Sequence, residues 1–200
     1  MLFKKLKGGG EINAFCPKSV YYNENFYEVS KFKKHILDIS KKEKLFRNGF
    51  INVDTSHSTN YKLEKDNIFN DLFTKILIES KLYLLELGYT KDFLNKLFIE
   101  SSWFNISKKG DSLIKHIHPG SLLSGSFYVS CDKEDQIVFF GDDDMILPPQ
   151  NFNDLSDKYT SYNCIPGSFL LFKSNINHCT NSQKSDEKIT ISFNLNYNKN

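Results

Sequence analysis

Residues 98–130 read FIESSWFNISKKGDSLIKHIHPGSLLSGSFYVS. Short runs of Phe, Ile, Tyr and Val alternate there with Gly, Asn, Asp and Pro. That texture predicts short β-strands broken by turns. It persists to the C-terminus, with strands expected near 98–106, 112–118, 122–130, 136–140, 160–165, 168–173, 176–180 and 187–197. About eight short strands spaced by turn signals predict an all-β sandwich or barrel.

Upstream the pattern is helical. Ile68, Phe69, Leu72, Phe73, Ile76, Leu77, Leu84 and Leu85 recur at spacings of three and four, which predicts a helix over 64–87 with one buried face. Gly88 is placed to stop it. A shorter helix is expected within 27–41, with Phe32, Ile36 and Ile39 on one side, and another over 90–97 with Thr90 as N-cap. The first ~20 residues, with Gly8, Gly9 and Gly10, read as a lead-in or an edge strand. No sharp linker divides the halves. The expectation is one domain over 1–200, with a helical support region (1–97) packed outside a β core (98–200), in the α+β, mainly β class.

Composition limits the function. The chain has 200 residues, 40% of them hydrophobic, and a net charge of +2. Neither nucleic acid nor an anionic membrane is favoured by that balance. The cysteines (Cys16, Cys131, Cys164 and Cys179) form no CxxC pair and read as free thiols. No secretory pattern and no run of about 18 apolar residues is present, so a cytoplasmic location is expected. A homodimer stays open.

Two histidines, His116 and His118, stand two apart. On a strand, such residues share a face and can grip one metal ion. His178 follows in an apolar strand region, and Lys188 lies ten residues beyond it. Lys188, Thr190, Ser192 and Asn194 alternate with Ile189, Ile191, Phe193 and Leu195. A surface strand has this pattern, and so does one lining a polar barrel interior. Taken alone, HxH also fits two solvated histidines. His35 and His57 read as ordinary surface residues, and Trp103 and Tyr128 as core residues.

These blocks in order resemble the iron(II)/2-oxoglutarate-dependent oxygenases of the distorted double-stranded β-helix type, a jelly-roll or cupin-like fold. The likeness is to the branch with an HxHP…SG…YV pattern. Here it is carried by Trp103-Phe104-Asn105, His116-Ile117-His118-Pro119, Ser124-Gly125 with Tyr128-Val129, Pro166-Gly167…Phe172…His178, and Lys188-Ile189-Thr190-Ile191-Ser192-Phe193-Asn194. It spans about residues 98–197.

The resemblance implies iron(II) held by His116, His118 and His178. It implies 2-oxoglutarate with its far carboxylate on Lys188 and Thr190, and further hydrogen bonds from Tyr128 and Asn105. The reaction implied is hydroxylation by O2 of a substrate the sequence does not choose, with release of succinate and CO2. Two departures stand out. The wider superfamily uses two His and one carboxylate; here the second position is His118, and Asp111 and Asp142 to Asp144 are loose carboxylate candidates. Lys188 stands where Arg is usual, a point charge in place of a two-pronged fork. Two other functions compete: a three-His dioxygenase using no 2-oxo acid, and a non-catalytic β-sandwich binding module.

Overall fold

In the alternating segment 187–197, both faces of the strand are buried. The computed structural model describes residues 3–5, 11–13, 18–47, 52–59, 61–141 and 159–199. Its strands are β1 (Phe3–Lys5), β2 (Glu11–Asn13), β3 (Val20–Asn23), β4 (Asp54–Thr55), β5 (Leu97–Lys108), β6 (Leu123–Ser130), β7 (Gln136–Phe140), β8 (Tyr159–Asn163), β9 (Phe169–Lys173), β10 (His178–Thr180) and β11 (Glu187–Tyr197). The helices are α1 (Phe32–Ser40), α2 (Asn70–Glu86) and α3 (Lys91–Leu94).

A six-stranded sheet runs β3-β9-β6-β11-β5-β4, and a three-stranded sheet runs β10-β7-β8. β1 and β2 pair separately. Neighbouring strands are antiparallel throughout. The apolar residues of β11 join the first core. Ile189, Ile191, Phe193 and Leu195 pack there with Phe104, Phe127 and Phe169 of the same sheet, and with Phe32, Ile36, Leu72 and Ile76 of the helices. Fully burying each such side chain contributes roughly 1.5–3 kcal/mol. The helices therefore cover one face of the large sheet. Tyr128, Leu170 and Phe172 form a second core with Ile137 and Phe139 of the small sheet. The observed architecture is the expected double-stranded β-helix with helices outside it.

Three local expectations need correction. The predicted helix over 64–87 begins at Asn70, after two short 3-10 turns. Asp66 between them is extended, and its carboxylate accepts from the Ile68 amide, which breaks the run. The helix ends as expected, with Gly88 at φ 87°. Leu85, counted on the buried face, is 41% exposed. The segment 112–118 is not a strand: isolated backbone contacts, the His116–His178 bridge and the Thr180 amide on the Leu113 carbonyl, tie it to β10. Strands β1 to β4 were not individually expected. Asp142 to Asp144, Cys16 and Gly8 to Gly10 lie outside the described residues.

Gly125 has a steric reason. A Cβ there would collide with the Phe193 ring and lie 2.5 Å from the Leu170 carbonyl oxygen. Gly125→Ala is expected to lower Tm by about 2–10 °C, as overpacking of a filled core does. A thermal melt checks it; an unchanged Tm would mean the core yields freely at this point.

Candidate metal centre

The bridge brings the three histidines together. The His116 amide donates to the His178 carbonyl (2.9 Å), and the His178 amide returns a bond to the His116 carbonyl (3.0 Å). The His118 amide donates to the Ser174 carbonyl in the turn before β10 (2.9 Å). One ring atom from each of His116, His118 and His178 then lies within 4.8 Å of the others.

Ring orientation is set by the backbone. His116 Nδ1 is 2.7 Å from the Ile114 carbonyl oxygen, and His178 Nδ1 is 3.0 Å from that of Ile176. Each Nδ1–H donates to its carbonyl, which leaves the Nε2 lone pair for a cation. His118 Nε2 and His178 Nε2 are 3.3 Å apart. An ion about 2.1 Å from each of two ligand nitrogens holds them about 3.0–3.4 Å apart, so this pair is spaced to share one metal, with His116 beside it.

Protonation favours the same use. Burial, with the neighbouring His116, pushes His178 down to about 3 and His118 down to about 4. Both rings are neutral donors near neutral pH. The sign of the linked stability follows. Both folded values lie below the ordinary 6.5, so metal-free folded protein resists protons that the unfolded chain accepts. This contribution is complete above pH 6.5 and is lost as pH falls towards 4 and then 3. Melting the chelator-treated protein across that range should give a falling Tm; a flat profile would mean the rings charge freely.

The histidines open onto a cavity of about 450 Å3. β11 supplies one wall. Register places Thr190 opposite Asn105 on β5 and Tyr128 on β6, with Lys188 opposite Ser107. A bulge between Ile189 and Thr190 interrupts the β6 register beside Lys188, a device that re-aims side chains. Lys188, Thr190, Tyr128 and Asn105 all line the cavity.

Lys188 is 4% exposed, and among the described residues no carboxylate lies within ion-pair distance of it. Nearby Asp135 is committed elsewhere, to the Ser185 hydroxyl and the Lys184 and Ser185 amides. Burial beside Cys164 pushes the Tyr128 hydroxyl well up, so it stays a donor. Asn105 Nδ2 donates to Ser192 Oγ (3.2 Å).

No carboxylate joins the histidines: among the described residues the cavity is lined by no Asp or Glu. Asp111 is held by the Arg47 guanidinium and the Lys108 amide, away from the cavity. His57 adds to the surface reading. It is exposed, but it borders the cavity mouth and meets Trp103 edge-on, with ring centroids 4.5 Å apart. Trp103 in turn stacks on His118 at 5.8 Å. Ile114 and Ile117, 53% and 40% exposed, also line the cavity. His35 is apart from the site, bonded to Asp66. Ser192 and Asn194 also line the cavity, as the polar face of β11 allowed.

A histidine cluster in a double-stranded β-helix, facing a buried cation across one cavity, defines the class: a cupin-like fold with a candidate metal centre. The comparisons narrow it. Residues 101–194 match the model of the family described as "Putative 2OG-Fe(II) oxygenase", and over that segment the chain carries this family's pattern. No curated protein matches. Solved structures share the fold at low identity. The prolyl-4-hydroxylase of Pseudomonas putida is 11% identical at TM-score 0.57, covering 90% of this chain and 94% of that one. The viral collagen prolyl hydroxylase of Paramecium Bursaria Chlorella virus-1, in its 2OG complex, is 15% identical at 0.55, covering 88% and 94%. HygX of Streptomyces hygroscopicus, with nickel and 2-oxoglutarate bound, is 11% identical at 0.60, covering 91% and 84%. No described helix is long and apolar enough to cross a membrane.

Proposed function

We propose that this chain is an iron(II)/2-oxoglutarate-dependent dioxygenase that hydroxylates its substrate. One observation carries the reading: the buried Lys188 ammonium, without a carboxylate partner among the described residues, faces the same cavity as three histidines whose ring nitrogens converge. A buried cation in such a place calls for an anion.

His116, His118 and His178 would hold the metal. Lys188 binds the far carboxylate of 2-oxoglutarate, assisted by the Thr190 hydroxyl on the same face, and Tyr128 and Asn105 donate further hydrogen bonds to it. When bound, iron and the 2-oxo acid supply the oxidising chemistry, in which substrate, O2 and 2-oxoglutarate give hydroxylated substrate, succinate and CO2. The protein's own contribution is position. The backbone carbonyls of Ile114 and Ile176 orient two ligands, and Phe172 packs on His178, with ring centroids 4.6 Å apart, to keep water from that side. Substrate would enter past the exposed His57, Ile114 and Ile117, an apolar and aromatic part of the described cavity wall.

The absence of a carboxylate from the described cavity wall favours a second reading, a three-His dioxygenase that needs no 2-oxo acid. Lys188 argues against it. Anaerobic iron(II) protein titrated with 2-oxoglutarate decides between them. A weak visible charge-transfer band that requires iron supports the first reading. Iron binding without the band moves the assignment to the second. Failure to bind iron leaves a binding module.

A further inference from the structure

Two parts of the sequence pattern, Ser124 and Asn194, have no role in the proposed chemistry, yet both are buried. They belong to one hydrogen-bonded chain. The Ser124 hydroxyl donates to Asn194 Oδ1 (2.8 Å), so its own oxygen accepts from the Ser174 hydroxyl (2.7 Å). Asn194 Nδ2 donates onward to Ser101 Oγ (3.3 Å). The direction of every bond is thereby fixed, and the chain crosses from β11 through β6 to the turn between β9 and β10.

Backbone carbonyls of that turn support two of the three histidines. Ser174, 1% exposed, gives its carbonyl to the His118 amide. Two residues on, the Ile176 carbonyl accepts from His178 Nδ1. A shift of Ser174 therefore moves the backbone support of His118 and the ring support of His178 together. We infer that Ser124, Ser174 and Asn194 are positioning residues that set the spacing of His118 and His178 for a divalent cation. This rests on the reading of the three histidines as a metal site.

The test uses chelator-stripped full-length protein and cobalt(II). Trp103 is the only tryptophan and stacks on His118, so quenching of its fluorescence reports cobalt arriving at the site. Ser174→Ala and Ser124→Ala are expected to raise the cobalt dissociation constant severalfold, short of the ~10- to 100-fold cost of losing a group that bonds a ligand directly, because both variants keep the Ser174 and Ile176 carbonyls. Ile36→Val, in the core face of α1, is the stability control; it lowers Tm and leaves the constant unchanged.

Constants within twofold of wild type for both serine variants would overturn the inference and leave the chain a purely structural one. If Ser174→Ala does not fold, Ser124→Ala alone decides. Wild-type protein that takes up no cobalt would overturn the metal reading itself, and the inference with it.

Discussion

Lys188→Ala is expected to raise the 2-oxoglutarate dissociation constant of the metal-loaded protein about a hundredfold. A hydrogen bond to a charged group contributes roughly 1.5–3 kcal/mol, and loss of one partner from a buried charge pair costs still more. Metal affinity without the co-substrate should be unchanged, because Lys188 stands on β11 and makes no contact with the imidazoles. Lys188→Arg should recover part of the loss; its charge is retained, but the planar fork is larger than the ammonium it replaces. Lys188→Met offers a check with the opposite sign. No ion pair among the described residues holds the buried ammonium, and the Asp135 carboxylate that feels its charge keeps its own bonds to Ser185 and Lys184, so the metal-free, ligand-free Met variant should melt at or above wild type while losing 2-oxoglutarate. Damage to the fold would lower both quantities. Calorimetric titration and melting curves measure them, and 2-oxoglutarate bound by the Ala variant within threefold of wild type would remove Lys188 from the site.

The second large effect concerns the ligands. A protein metal site worth roughly 10–16 kcal/mol over four ligands gives about 3 kcal/mol for each, or about two orders of magnitude in affinity. His178→Ala should weaken divalent-metal binding by at least that. It also opens space between Phe172 and Phe139, which flank the ring, so Tm of the metal-free variant should fall as well. His118→Ala run in parallel settles whether the middle histidine is a ligand. Equal losses make the site a three-His centre; a loss confined to His178→Ala makes His118 a bystander.

Much of this was legible in the sequence, and the misses have physical causes. The alternation of Lys188 to Leu195 correctly separated the two faces of β11. It did not say whether the polar face met water or a cavity, because that depends on the second sheet, which is distant in sequence. The positions of His116, His118 and His178 fixed the cluster, although 112–118 is no strand. Isolated backbone contacts with β10 and the turn before it do the work expected of a ladder. His57 was missed because an exposed histidine in a polar stretch carries no local signal; only the packing of Trp103 beside it makes it part of the mouth. Helix α2 was placed several residues early, since Asp66 prefers to cap its own turn rather than continue a helix. Ser124 and Asn194 were visible as pattern, but the hydrogen bond joining them crosses between adjacent strands.

The bridge between His116 and His178 has one more consequence. Each residue grips the other through its main chain while lending its side chain to the same point, so any cation seated there spans a junction the backbone has already closed. The centre is then a rivet through a lap joint. The segment 112–118, which has no ladder of its own, is fastened to the barrel at this joint and at Leu113 and His118 beside it, and a cation in place would tighten the fastening.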